Sequence, residues 1–426
     1  MWLLYDLIIH LYGDAISVAS LFNRKAKMWV AGRRGIFKAI GTAVGGQRLA
    51  VGSQRSAVAW FHCASLGEFE QGRPVIEAFR KEHPEWKILL TFFSPSGYEI
   101  RKNYEGADFI FYLPLDTPGN ARKFIRLVRP ALAVFVKYEY WFRYLDELHK
   151  EKIPVYIISA IFRPGQHFFR WYGSWARKQL KKVTCFFVQD ETSRELLKAV
   201  GIARVTVSGD TRFDRVSAIA GNARTFPQLE KFAGSQPVFL AGSTWPADEA
   251  LITTLIQETG SRMKFIIAPH ETDRIRVEAL KEKVLSFEVS GLSEETVIFF
   301  SGLDESNADR ARVVIVDGIG YLSHLYQYAT IAYVGGGFGA GIHNILEAAT
   351  FGKPVIFGPK YQKFREAVEL IEAGGAFTIE NQHQLHDIVF KLLNDVDFIQ
   401  KSSKISTLFV IRKQGATEII LSKLSV

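Results

Sequence analysis

The chain has 426 residues, 48% of them hydrophobic and 23% charged, with a formal net charge of +9. That length suits two or three domains, and the balance excludes a disordered chain. The excess of positive charge favours a polyanionic partner: nucleic acid, anionic lipid or a phosphorylated substrate. Cys63 and Cys185 are the two cysteines, both inside apolar runs. They read as small buried hydrophobes rather than a disulfide or metal pair, and they fit a reducing compartment.

At the N-terminus, Leu4, Leu7, Ile8 and Leu11 fall on one helical face. Asp6, His10 and Asp14 interrupt the stretch, which lacks the roughly 20 uninterrupted apolar residues of a membrane span. A cleavable signal needs a basic start and a clean apolar core, and neither is present. Arg24, Lys25, Lys27, Arg33, Arg34 and Lys38 follow, with Trp29 and Phe37 among them. Apolar helix plus basic-aromatic stretch reads as an interfacial anchor on anionic lipid. A core helix followed by a solvated basic loop has the same local pattern, so both readings stay open.

From about residue 56, short apolar runs alternate with amphipathic segments. The runs predict strands at Ala57–Cys63, Ile88–Phe93, Phe109–Tyr112, Leu132–Val136, Val155–Ser159 and Phe186–Val188. Helix-like stretches such as Gln71–Glu82, Asn120–Arg129 and Trp171–Lys182 lie between them. Strands that read as continuous Val, Ile, Leu and Phe are buried on both faces, so the alternation predicts parallel βαβ units. Ser217–Gln236, with Gly221, Asn222, Pro227, Gly234 and Ser235, reads as a linker. The alternation restarts at Val238–Ala241, Phe265–Ala268, Val313–Val316, Ile331–Val334 and Val355–Phe357. The expected division is 1–40, a membrane-associated helix and basic segment; 41–218, a first doubly wound domain; 236–400, a second; and 401–426, a helix returning to the first. Two such domains are expected to face a cleft, with ligands beyond the carboxyl ends of the strands.

The stretch Tyr333–Pro359 is the most informative. A strand ends at Val334, a loop carries Gly335, Gly336, Gly337, Gly339 and Gly341, and a helix is expected from about His343 to Phe351, stopped by Gly352. Glycines admit close approach of a phosphate, and a helix N-terminus offers free N–H groups. Asn344 and Glu347, three apart, add a carboxylate suited to ribose hydroxyls. The same glycines also suit a tight turn that serves only packing.

Ser65 and Glu68, in Phe61–Arg73, sit at the end of the first strand. They form a capping box, or they place Glu68 to deprotonate an attacking hydroxyl. Gly209–Asp214 offers Arg212 as a cation for a departing phosphate. Ser243 and Thr244 either cradle a phosphate or cap a helix. Pro269, His270 and the Asp317–Gly320 segment follow further strand ends of the second domain, so all three loops converge on one sheet edge. No metal-ligand spacing and no Walker A motif occurs, which favours a metal-independent mechanism without a cofactor.

With these stretches, the chain resembles the 3-deoxy-D-manno-octulosonic acid (Kdo) transferases along nearly its whole length. The resemblance is carried by Ser65-Leu66-Gly67-Glu68, Tyr112–Asp116, Lys137-Tyr138-Glu139-Tyr140-Trp141, Gly209–Asp214, Ala241–Thr244 and His343–Glu347. It implies a GT-B architecture and transfer of Kdo from CMP-Kdo to a lipid A precursor in lipopolysaccharide synthesis. The implied location is the cytoplasmic face of the inner membrane. The resemblance also implies that Glu68 takes the role of base and that Glu139 and Arg212 support the transition state. It assigns the CMP contacts to Pro269, His270, Ile319, Gly320, Tyr321, Asn344, Ile345, Leu346 and Glu347, with Ser65, Gly67, Ser243 and Thr244 as further candidates. This chain departs from the family pattern at Pro269 (arginine), at Lys137 and Tyr321 (glutamate), and at Arg212 (lysine).

The nearest alternative is a GT-B transferase using a UDP-sugar on another membrane lipid. A nucleic-acid-binding protein would explain the charge but predicts a binding module that the sequence lacks. A non-catalytic membrane scaffold would need the sheets but not Glu68, Asn344 and Glu347 together.

Overall fold

The computed structural model describes residues 1–46, 56–286 and 292–424. It opens with three helices, α1 (Trp2–Ala19), α2 (Arg24–Ala31) and α3 (Ile36–Gly46). A first sheet then forms from β1 (Val58–Cys63), β2 (Lys87–Phe92), β3 (Phe109–Tyr112), β4 (Leu132–Val136), β5 (Val155–Ala160), β6 (Cys185–Val188) and β7 (Val205–Val207). Its spatial order is β3-β2-β1-β4-β5-β6-β7, and every pairing is parallel. Helix α4 (Leu66–Glu82) follows β1 directly.

The second sheet is built the same way from β8 (Val238–Thr244), β9 (Lys264–Pro269), β10 (Val297–Phe299), β11 (Val313–Ile315), β12 (Ile331–Val334), β13 (Val355–Phe357) and β14 (Ala376–Thr378). Its order is β10-β11-β9-β8-β12-β13-β14, again all parallel. In each sheet the order reverses beside the first strand, at β1/β4 and at β8/β12. Doubly wound sheets open a crevice for ligands at that reversal.

The chain divides into two compact units, residues 1–215 with 414–426, and residues 216–413. Every predicted strand is present. Three further strands, β7, β10 and β14, are short and lie at sheet edges, so they carry little of the continuous apolar signal of a central strand. The segment predicted as a linker is largely helical, at Thr211–Gly221 and Pro227–Ala233. Its Pro227 starts the second of these helices and its Gly234 ends it, while Leu229 and Phe232 are buried. Helix Val396–Ile411 belongs to the second unit and Ala416–Leu421 to the first. Asp214 accepts the backbone N–H groups of Gly415 and Thr417 at 2.6 and 2.7 Å, and Ile420 packs into the core beneath α4.

Helix α1 lies along the first unit. Trp2 packs edge-on against Trp175 at 5.1 Å, Asp6 accepts from Arg143 Nε at 2.8 Å, and Ile9 and Gly13 are buried. Leu4, Leu7, Ile8 and Leu11 are each more than half exposed, as are Leu3, Leu21 and Phe22. By length and composition α1 is apolar enough to cross a membrane, with a mean hydropathy of 1.2. Its packed face, though, is held by polar contacts to the protein.

The basic stretch does not all face outward. Arg33 donates to the carbonyls of Leu113 and Phe93, each at 2.8 Å, and its guanidinium lies 3.8 Å over the ring of buried Trp29. Burial pulls Arg33 down to about 9. Arg33 and Trp29 therefore pin α2 to the sheet, while Arg24, Lys25, Lys27, Arg34 and Lys38 are exposed.

Candidate active site

The first unit gathers its candidate side chains at the reversal point. Ser65 is the N-cap of α4 and Glu68 lies in its first turn. The reciprocal capping box is not formed. The Ser65 hydroxyl donates to the Glu68 carboxylate itself, and no side chain caps the helix. Gly67 is exposed beside them. Glu139, beyond the end of β4, accepts from Trp141 Nε1 at 2.6 Å and lies 3.3 Å from Nε2 of fully buried His62. Burial first, then the negative charges of Glu68, Glu139 and Glu70, holds the Cys63 thiol well above its usual range. Both carboxylates thus act on the same end of β1.

Arg212 does not stand alone. Its Nε and Nη2 donate to Asp210 Oδ2 at 2.9 and 2.7 Å, and its backbone N–H reaches Oδ1 at 3.0 Å. Burial works to raise the Asp210 carboxyl, but Arg212, with Lys137, holds it below the usual carboxylate range. Lys137, Arg212 and Asp210 together leave one positive charge in excess. Lys137 has φ of 64° immediately beyond β4, and Ser243 has φ of 53° near the end of β8. Left-handed backbone at non-glycine residues costs energy and marks both reversal points.

In the second unit, Trp245, His270 and His343 form a continuous stack. Ring centroids are 4.7 and 4.5 Å apart, with tilts of 24° and 23°. Trp245 Nε1 donates to His343 Nε2 at 3.1 Å, so that nitrogen carries no proton. Burial, then the neighbouring His270, lowers the His343 pKa and keeps the ring neutral. The loops after β8, β9 and β12 therefore meet.

Asp248 ties the glycine loop down. It accepts from the backbone N–H groups of Trp245 and Gly336, both at 2.9 Å, and from Tyr333 Oη at 2.7 Å. A Cβ on Gly335 would lie 2.4 Å from the Ser243 carbonyl, so only glycine fits there. Asn344 Nδ2 donates to Glu347 at 3.1 Å, and Asn344 Oδ1 accepts the Leu346 N–H at 3.2 Å.

Several expectations change here. The helix after the glycine loop is a single turn, Leu346–Ala349, rather than one from 343 to 351. Three glycine-loop backbone bonds, including His343 N–H to the Gly335 carbonyl at 3.2 Å, hold that segment outside a helix. Such a short turn carries little macrodipole. Ile345 and Leu346 bury their side chains in the core, leaving only backbone atoms for a ligand. Thr244 is buried and its hydroxyl is committed to Glu249 at 3.0 Å. Pro269 ends β9, and the next N–H, of His270, donates to the Thr244 carbonyl at 3.0 Å. Ile319 and Gly320 are exposed on the turn after β11, and Tyr321 packs on Phe226 and Phe300. Among the described residues, no hydrogen bond or ring contact joins these three to His270 or His343. His62, Trp141, Asp210, Trp245 and Asp248 are partners that motif reading passed over. Trp141 and Asp210 lay within the quoted motifs, and Trp245 and Asp248 begin the helix after β8. His62 carries no signal beyond its place in a strand. No cluster of three potential metal-ligating side chains occurs among the described residues.

Comparison with known proteins agrees with this layout. The family described as 3-deoxy-D-manno-octulosonic-acid transferase (kdotransferase) matches residues 43–215. A Kdo transferase of Aquifex aeolicus is 29% identical over 342 residues, covering 79% of this chain and 86% of the relative. One of Chlamydophila psittaci is 27% identical over 359 residues, covering 81% and 80%. In fold, UDP-GlcNAc 2-epimerase of Neisseria meningitidis superposes with a TM-score of 0.59 at 17% identity, covering 86% of this chain and 99% of that one. MurG of Acinetobacter baumannii gives 0.53 at 11%, covering 86% and 98%. Two doubly wound parallel-sheet units with these relatives define a glycosyltransferase of the GT-B class. Residues 43–215 match the Kdo transferase family, and the chain as a whole is similar to Kdo transferases along about four-fifths of its length.

Proposed function

We propose that the chain transfers Kdo from CMP-Kdo to a hydroxyl of a lipid A precursor at the cytoplasmic face of the inner membrane. The observation that carries this reading is the Kdo transferase domain at 43–215, because that domain contains Glu68, Glu139 and Arg212. Glu68 accepts the proton of the attacking glucosamine hydroxyl. The hydroxyl oxygen bonds to the Kdo anomeric carbon, the bond from that carbon to the phosphate oxygen breaks, and CMP departs with the electron pair. Glu139, fixed by Trp141 and His62, faces the positive charge that develops on the sugar. Arg212 and Lys137 offset the negative charge on the leaving phosphate, tempered by Asp210. In the second unit, the Trp245–His270–His343 stack and the Asn344–Glu347 pair hold the nucleotide.

Membrane attachment is assigned to the exposed leucines of α1 with the outward lysines and arginines of α2 and α3. The test is direct. Full-length protein is incubated with vesicles containing tetraacylated glucosamine disaccharide bisphosphate, and CMP-Kdo is compared with UDP-sugars. Transfer from a UDP-sugar and none from CMP-Kdo would replace this reading with the UDP-sugar alternative.

A further inference from the structure

Among the described residues, two side chains meet the Glu139 carboxylate: Trp141 Nε1 at 2.6 Å and His62 Nε2 at 3.3 Å. His62 is fully buried in β1, where Thr91 Oγ1 lies 2.9 Å from its Nδ1. Trp141 belongs to no strand. It is the N-cap of the helix Phe142–Lys150 and is half-buried. The direction of its indole N–H therefore depends on what its ring lies against.

That support is aromatic, and it leads to the N-terminal helix. The Phe93 ring lies 4.5 Å from the Trp141 ring at a tilt of 32°. Phe93 in turn stacks on Tyr12 of α1, 6.1 Å away and tilted by 23°. Both separations fall within the range of stabilising aromatic pairs. Trp29 of α2 meets the Phe93 ring edge-on at 5.6 Å, and the Arg33 guanidinium lies 4.8 Å over it. Electrostatics follow the same path. Burial raises the Tyr12 phenol, Arg33 works against that, and the charge of Glu139 adds to it. Tyr12 is 44% exposed, so it is the last ring of the stack. The helix whose leucines face outward thus also supplies the end of the support behind Trp141.

A group that acts on a transition state must be held to within about 0.5 Å, by neighbours whose own side chains are locked by packing. An indole with no ring behind it can tilt, and its N–H then leaves the carboxylate. We infer that Tyr12 and Phe93 are positioning residues for Glu139: the α1 ring backs Phe93, Phe93 backs the Trp141 indole, and the indole N–H fixes the carboxylate. The N-terminal helix is then part of the active-site support as well as the membrane attachment. The function of Glu139 in transfer rests on the Kdo transferase reading, whereas the path from α1 to its carboxylate rests on the stack.

The experiment is nuclear magnetic resonance of the full chain carrying 15N-labelled tryptophan, beside an assay of Kdo transfer. Trp141→Phe identifies the Trp141 indole signal, and Glu139→Gln shows where that signal moves when its acceptor loses the charge. Tyr12→Leu and Phe93→Leu keep apolar bulk and remove a ring. Each should move the signal toward its Glu139→Gln position, while Tyr12→Phe should leave it in place. At saturating vesicles, kcat should fall roughly 10- to 100-fold in both ring-loss variants with KM for CMP-Kdo unchanged, the effect of a displaced catalytic group. Tyr12→Phe should keep the wild-type kcat. A wild-type indole position in Tyr12→Leu, an equal shift in Tyr12→Phe, or shifted indoles with unaltered kcat would each overturn the inference. Absence of transfer by wild type beside the expected indole shifts would sink the donor assignment and leave the path from α1 to Glu139 standing.

Discussion

His62 and Glu139 meet at 3.3 Å at the carboxyl ends of β1 and β4, the two strands beside the reversal of the first sheet. His62 is fully buried and Trp141 holds the same carboxylate oxygen at 2.6 Å. Glu139 is therefore fixed in place. Glu68, by contrast, is half-buried and bonded to the Ser65 hydroxyl on a helix's first turn. On the proposed reading the two carboxylates divide the work, Glu139 as the oriented group and Glu68 as the base.

Replacing Glu68 tests that division. Glu68→Ala should lower turnover by roughly two to four orders of magnitude, the range of a lost general base. The melting free energy should fall by no more than about 2 kcal/mol, the upper end of a cap effect. Near-normal turnover would reduce Glu68 to a helix-start residue. The Ser65 bond to Glu68 makes Ser65→Ala a milder companion, with a smaller loss expected in the same assay.

The Asp210–Arg212 pair predicts a pH dependence. Asp210 is depressed in the fold, so it binds fewer protons there than in the unfolded chain. Its stabilisation is fully present above the unfolded value, about pH 4, and is lost as pH falls through the lower folded value. Asp210→Asn should cost about 1–3 kcal/mol at neutral pH, since Arg212 loses a charged partner. It should also flatten the acid limb of a stability-against-pH curve. An acid limb unchanged from wild type would show that the pair contributes nothing there.

Membrane attachment is testable without deleting the N-terminus. Ile36 and Ile40 of α3 lie in the core of the first unit, so truncation through residue 38 would damage the fold. Changing Leu4, Leu7, Ile8 and Leu11 to Gln removes only exposed apolar surface. If each contributes about 1 kcal/mol, below the roughly 1.5–3 kcal/mol of full burial, anionic-vesicle partitioning should fall by about three orders of magnitude. Wild-type binding should also weaken as salt rises, because screening weakens the basic contribution. Unaltered partitioning of the four-site variant would place the anchor elsewhere.

Much of this was legible in the sequence because parallel central strands are continuous apolar runs. β1, β4 and β5 bury every residue, and their signal is unambiguous. β7, β10 and β14 are three-residue edge strands with partly exposed residues, so they leave no such run. In the motifs, residue type was readable but partnership was not. Arg212 looked like a free cation until Asp210, two residues earlier, was seen closing on it. Ser65 and Glu68 read as a capping box, yet the hydroxyl bonds the carboxylate rather than the backbone. Trp245, His270 and His343 are far apart in the chain, and only the reversal at β8/β12 stacks them. Glycine spacing suggested a long helix after residue 343, but loop hydrogen bonds and the early Gly352, with φ of 68°, confine it to one turn.

The donor decides between CMP-Kdo and a UDP-sugar, and the second unit supplies the probe. With only one helical turn after the glycine loop, the dipole gives little help to a phosphate, so nucleotide affinity should rest on specific contacts. Glu347 accepts from Asn344 Nδ2 at 3.1 Å, and on the proposed reading its carboxylate meets the ribose hydroxyls. Glu347→Ala should weaken CMP by about 1.5–3 kcal/mol, the worth of hydrogen bonds to a charged group. CMP should bind wild type more tightly than UMP or UDP, and activity should persist in EDTA. His343 adds a pH signature. Its folded value is lowered, so the folded ring stays neutral below the ordinary value of about pH 6.5 and takes a proton only as the pH falls through the lower folded value. CMP affinity should therefore fall on the acid side as protonated His343 loses its bond from Trp245. Calorimetric titration of CMP, UMP and UDP into wild type and Glu347→Ala, repeated across pH, reads all of these at once. Tighter binding of UDP than of CMP would overturn the CMP-Kdo assignment and leave the GT-B fold intact.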